Sequence, residues 1–421
     1  MKKLTKFIRD KRTVLFSLIL IGFFIRFAGI FFNGNHNFDT YREWGINTLN
    51  KGLADSFVGG YGPIAYLMML ISEKFAVLIP HLWWLPYKAT NLIFEILILL
   101  LLYKLIPKNK IQITLVYWLN PWFFIPGSWE GFWDAPFMFF ILLALGVLDF
   151  RKNLKHRFFY AGLMMGIAFC IKPQIVAPLV AMGLYFIFFQ LISFRFREIT
   201  SFTVGFGILP FLFNTYFFLQ AKSAFYLFQL YFGFTSYMPY LVASEINIWY
   251  TVTSVIMNLN HMKGPIYSLS TYTFPYNYLE KSAYLVFFLI MAIFIIKSYI
   301  AKSSNRPLFF TRAFTLPFIM MPQILTRSHA YHFYPATLLL ILIFIIGKDR
   351  KLFILWIISA FIHFCNIYSG YGLGRSIINN PFPLIFWQEP IISIMGIVQF
   401  LLALGLIYSL LFPKNITQLP K

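Results

Sequence analysis

Apolar runs of about 20 residues recur from one end of this chain to the other, and that repetition leaves few folds open. Backbone N–H and C=O groups surrounded by lipid must be satisfied within the chain, so such runs predict membrane-spanning helices. With 59% of the 421 residues hydrophobic, 21% aromatic and 12% charged, no interval remains that would make a separate soluble domain. The fold class expected is an all-α polytopic membrane protein, a single bundle of about 12 transmembrane helices. The segments are 13–32, 88–105, 111–126, 132–150, 158–171, 174–194, 199–219, 282–300, 308–326, 332–346, 352–368 and 389–412. The opening MKKLTKFIRDKR has the charge of a signal peptide's leading region, but the run after it is long and lacks a small-residue cleavage site, which predicts a retained first helix.

A formal charge of +21 would suggest nucleic acid in a soluble protein. Here its distribution says more, because Lys and Arg mark the cytoplasmic side of a membrane protein. On the topology above most of the 35 Lys and Arg residues cluster at one set of helix ends, while Asp39, Glu43, Asp55, Glu73, Glu130, Asp134, Glu245, Glu280 and Glu389 fall at the other. That arrangement predicts cytoplasmic termini, a working surface on the periplasmic, extracellular or luminal side, and no nucleic-acid partner. Cys170 and Cys365 lie in or beside apolar runs and read as packing residues.

Two outer stretches are long: a first loop, 33–87, and a central loop, 220–280. In the first, which opens with NGNHNFDTYREW, the runs 39–51 and 64–79 are expected to form surface helices joined by the turn-rich GGYGP. The Glu73–Lys74 pair suits an interfacial helix better than a spanning one.

The unusual polar residues gather at outer helix ends: Asp39, Glu130, Asp134, Lys172, Gln174, Ser244, Asn247, Arg327, His329, His332 and Arg375. Each has a plain explanation as well as a functional one. Asp39 suits a helix N-cap, Glu130 and Asp134 suit the start of a helix dipole, and Lys172 suits a snorkelling end residue. Collected on one side, they suit an anionic phosphate and a carboxylate base. Arg offers a fork, Lys a point charge and His a donor. Only Arg26 and Glu95 look deep, either as structural partners or as groups nearer an interface. A permeation path would instead spread ionisable groups through the bilayer's depth. Trp44, Trp129, Trp133 and Trp249 fit an interfacial aromatic belt, with some able to stack on a sugar or lipid.

Five stretches in order, FDTYREW with GYGP, NPWFFIPGSWEGFWDAPFMFFILLAL, GIAFCIKPQIVAPLV, SEINIWY and LTRSHAYHFYPATLLL, together resemble the GT-C superfamily of integral-membrane glycosyltransferases, nearest its mannosyltransferase and glucosyltransferase branches. The resemblance implies a catalytic module over 1–340, completed by helices in 341–421, and inverting transfer of a hexose from a polyprenyl-phosphate sugar to a glycan, lipid-linked or protein acceptor. It implies Asp39 as general base and Glu130 or Asp134 as a second, acceptor-side carboxylate. Donor-phosphate contacts would come from Lys172, Arg327, His329, His332 and Arg375, and sugar or lipid contacts from Trp44, Gln174, Ser244, Asn247 and Trp249. The first loop has a lone Asp39 and not a paired Asp-x-Asp, so a divalent metal, Mg or Mn, would need Asp134 beside Asp39. Glu245 departs from the small or amide residues of many relatives. The rival readings are a lipid-linked-sugar flippase or other transporter, an O-antigen-type polymerase or ligase, and a non-catalytic assembly subunit.

Overall fold

The structure is a computed structural model that describes residues 11–33, 37–192, 196–237, 246–259, 276–301, 307–326, 328–371 and 390–412. It is all-helical, with no strand among those residues. Among the described residues seven helices are long and apolar enough to cross a membrane: Lys11–Gly29, Leu85–Leu105, Pro173–Leu191, Phe196–Leu219, Tyr278–Ile300, Arg350–Ile367 and Ile391–Leu411. Their outward faces carry Phe16, Phe211, Leu285, Phe361 and Leu401 exposed, a surface that water would not tolerate on this scale. These are the marks of a multi-pass membrane protein.

Each of the other expected segments is helical but shorter or interrupted. Arg157–Phe169 and Tyr331–Gly347 are apolar helices below spanning length, and Phe309–Ile324 carries Pro317 and Pro322 inside it. The run at 111–126 breaks at Asn120–Pro121, where the Asn120 carboxamide accepts the Trp122 N–H at 3.0 Å and its Nδ2 donates to the Val116 carbonyl at 3.1 Å. Proline cannot donate to the preceding turn, so the asparagine replaces the missing helical bonds locally.

The first long loop, 33–87, folds chiefly as two helices, Asn37–Lys51 and Pro63–Ala76. They meet at Gly45, where an added Cβ would lie 2.4 Å from the Tyr87 hydroxyl and 3.1 Å from the Met69 carbonyl. Trp44 stacks on Tyr66 at 5.2 Å. Glu73 is not stranded in apolar surroundings. The Tyr87 hydroxyl donates to it at 2.8 Å and Arg42 lies 3.8 Å away.

Two further contacts set the bundle. Arg157–Phe169 and Phe196–Leu219 touch backbone to backbone: a Cβ on Gly162 would sit 2.2 Å from the Phe202 carbonyl, and one on Gly205 2.2 Å from that of Phe159. The first helix is pinned by Arg26, which reaches Glu95 at 2.6 Å with both side chains fully buried. The C-terminal helices join the same core, with the Trp356 indole donating to the Thr337 carbonyl at 2.9 Å.

Candidate functional site

Lys172 follows directly on the Arg157–Phe169 helix, in extended conformation, just before Pro173 starts the next span. Its ammonium is buried and donates to Asp134 Oδ1 at 2.6 Å. Asp134 opens the helix that follows the GSWEGFWD tip. Its other oxygen, Oδ2, is buried with no hydrogen-bond partner among the described residues. Burial lowers the affinity of Lys172 for its proton and the Asp134 carboxylate opposes that shift.

Two tyrosine rings face the ammonium. Its nitrogen lies 5.3 Å from the Tyr61 ring centre and 4.7 Å from that of Tyr331, within cation–π range. Tyr61 belongs to GYGP, and that turn is bolted to the end of the Arg157–Phe169 helix. The Gly62 N–H donates to the Ile171 carbonyl and the Ile64 N–H to that of Cys170, each at 2.8 Å. The Tyr61 hydroxyl pairs with that of Tyr41 at 2.9 Å. Burial above all, with the neighbouring Tyr41 adding to it, holds Tyr61 well above the usual phenol range, so its hydroxyl stays neutral.

Tyr331 comes from RSHAY, stacked 5.0 Å from Phe132 and 5.3 Å from His329. The His329 N–H donates to His332 Nδ1 at 3.2 Å, and His332 lies within electrostatic reach of Lys172. INIWY braces the helix leading into this turn. Asn247 donates to the Pro322 carbonyl at 2.8 Å and accepts from the Tyr250 N–H, and the Trp249 indole donates to the Ile324 carbonyl at 2.6 Å. Those polar atoms hold backbone, so Asn247 and Trp249 act here as positioning residues.

Asp39 sits apart from the pair in character. It is exposed in the first turn of Asn37–Lys51, while its neighbours Phe38 and Tyr41 turn inward. Phe38 packs against Tyr87 at 6.3 Å and Tyr41 against Trp133 at 6.0 Å. Glu130 is buried at the tip, within electrostatic reach of Lys88. Trp44 is occupied by its stack on Tyr66. Gln174 lies in the turn after Lys172, with its carboxamide oxygen buried and without a hydrogen-bond partner among the described residues. Ser244, Arg327 and Arg375 lie outside the described residues.

Sequence reasoning passed over Tyr41, Tyr61, Tyr331 and Lys88. The tyrosines stand inside the quoted motifs, where charge, amides and tryptophans are the more conspicuous signals. Lys88 looked like a helix end; it is fully buried and donates to the carbonyls of Gly29, Phe32 and Trp129, capping the first span.

A divalent metal does not fit these residues. Asp134 already has a lysine ammonium as its counter-charge, and among the described residues no three His, Cys, Asp or Glu side chains converge as a metal site would need. Compared with family models, curated proteins and solved structures, the chain finds no match in any of the three.

Proposed function

We propose that the chain is a membrane glycosyltransferase of GT-C type that moves a hexose, with mannose favoured, from a polyprenyl-phosphate sugar to an acceptor at the outer or luminal face, inverting the anomeric centre. One observation carries this reading. Four of the five resembling stretches, widely separated in sequence, meet around Lys172: GYGP through Tyr61, the GSWEGFWD tip through Asp134, the Lys-Pro-Gln element itself, and RSHAY through Tyr331. The fifth, INIWY, braces the helix before RSHAY.

The surroundings suit a sugar phosphate. A lysine cation neutralises charge on the leaving phosphate, aromatic rings wall a sugar face, and the partnerless Asp134 Oδ2 and Gln174 carboxamide oxygens are acceptors for hydroxyls. In the reaction, the acceptor hydroxyl gives its proton to Asp39 as its oxygen attacks the anomeric carbon. The bond from that carbon to the phosphate oxygen breaks, and its electron pair leaves on the lipid phosphate. Attack opposite the leaving group gives inversion. Asp39, exposed on a helix at the loop surface, is reachable by an acceptor from the aqueous side, whereas Lys172 is buried where the donor's phosphate would be shielded from water.

The test is transfer by purified protein from synthetic polyprenyl-phosphate mannose and glucose to lipid-linked and free acceptors. Asp39→Asn, folded by size-exclusion and melting criteria, is expected to lose transfer by about 10²–10⁴-fold. Full activity in that variant moves the base to Asp134 or Glu130. No transfer from any donor by the wild type sinks the enzyme reading in favour of transport.

A further inference from the structure

The Arg157–Phe169 helix carries Lys172 just past one end and a cavity of about 380 Å³ at the other. The two are separated by about 22 Å at the helical rise per residue. Lys152, Lys155, Arg157 and Arg197 line this cavity, with Ser201 and a single carboxylate, Glu198. Basic residues at this end of the bundle follow from topology alone, but a walled cavity does not. It forms because the Arg157–Phe169 and Phe196–Leu219 helices run together in backbone contact through Gly162 and Gly205. Both helices therefore begin at the cavity, adding the positive ends of two dipoles to the four cations.

The cations are held near one another. Arg157 donates to the Lys152 carbonyl at 3.4 Å. Lys152 binds its proton less tightly than an ordinary lysine, first from partial burial and further from the charge of Arg157, with Asp149 opposing. Lys155 and Arg197 take part in no ion pair among the described residues. Glu198 adds a different chemistry, since its Oε2 is buried with no hydrogen-bond partner among the described residues. A buried acceptor of that kind calls for a donor.

We propose that this cavity binds the phosphate of an anionic lipid headgroup, with the four cations on the phosphodiester and Glu198 accepting from a headgroup hydroxyl. It lies at the opposite end of the helix from the Lys172 site and does not depend on the transfer chemistry proposed there. The membrane supplies such a ligand at the right depth, and basic pockets between helices are suited to it.

The test is lipid titration of the full chain in detergent, read by native mass spectrometry with dioleoylphosphatidylglycerol, dioleoylphosphatidylcholine and inorganic phosphate as probes. Wild type is expected to retain phosphatidylglycerol in preference to phosphatidylcholine. Arg197→Gln with Lys155→Gln should weaken that retention about 30-fold, while Lys104→Gln with Lys108→Gln, at the same basic end by sequence, should leave it unchanged. Both double variants alter exposed side chains, so folding is preserved and checked by melting. Equal retention of the two lipids by wild type, or equal loss in both double variants, overturns the proposal. Displacement of phosphatidylglycerol by millimolar inorganic phosphate overturns the lipid source and assigns the cavity to soluble phosphates.

Discussion

Two ion pairs are buried among the described residues, both at 2.6 Å, and they are built differently. Arg26 is saturated. Its Nε reaches Glu95, its two terminal nitrogens reach the Trp118 and Tyr117 carbonyls, and its guanidinium lies 3.8 Å from the Trp118 ring centre. Among the described residues the Lys172 ammonium makes one hydrogen bond, to Asp134, and it faces two tyrosine rings. Both partner carboxylates keep one oxygen without a hydrogen-bond partner among the described residues, Glu95 Oε1 and Asp134 Oδ2, so the difference lies in the cations. A cation tied to the backbone of another segment locks helices together. A cation with donors left over is poised to take a ligand, at some expense in stability.

The sharpest way to break this comparison is to remove each pair in two steps. Arg26→Met alone leaves a buried carboxylate and is expected to lose about 3–5 kcal/mol, seen as a lowered melting midpoint in detergent. Adding Glu95→Leu should restore stability, and transfer activity with it. Lys172→Met should likewise destabilise, and Asp134→Leu should rescue the fold, but the double variant should remain inactive. If both double variants recover activity, the Lys172 pair is structural and the distinction fails.

A smaller effect is expected at the turn that brings Tyr61 to Lys172. Gly62 has ordinary negative φ, so only space is at issue. A Cβ there would lie 2.2 Å from both the Cys170 carbonyl and the Tyr231 hydroxyl. Gly62→Ala should cost about 1–3 kcal/mol of overpacking and weaken donor binding, read as a raised KM for the polyprenyl-phosphate sugar. An unchanged KM would separate GYGP from the donor site.

The mildest change is Lys172→Arg. Burial depresses the proton affinity of Lys172. Between its folded value and the ordinary lysine value the unfolded chain binds more protons, so this residue's contribution to stability rises with pH through that window. The charge on the folded enzyme moves the other way, being lost at lower pH than for an exposed lysine. The alkaline limb of the transfer profile should therefore shift upward in Lys172→Arg, since guanidinium stays charged. An alkaline limb that does not move would assign it to another group.

The first loop shows how much of the fold was legible in sequence. Surface helices expected at 39–51 and 64–79 stand at Asn37–Lys51 and Pro63–Ala76, because polar interruptions and the Gly-Pro turn are local signals. Of the 12 spans expected, seven stand as helices of spanning length among the described residues. Hydropathy sums over a window and does not register a break such as Asn120–Pro121, where a helix ends inside an apolar run. Arg26 and Glu95 stood out in sequence as the deep charges, and they are each other's partners.

Composition and periodicity alone determined that this chain is helical and built for lipid, since an apolar run leaves its backbone no other partner than itself. They also isolated the residue types that handle phosphate. Which of those residues meet was decided only by tertiary packing. Lys172 and Asp134 are 38 positions apart, and no local pattern encodes that distance. The glycine contacts that bring two helices together, and the GYGP backbone bonds that carry Tyr61 to Lys172, make those neighbours. Packing likewise separated the exposed Asp39 from the buried pair, because exposure depends on which face of a helix its neighbours cover.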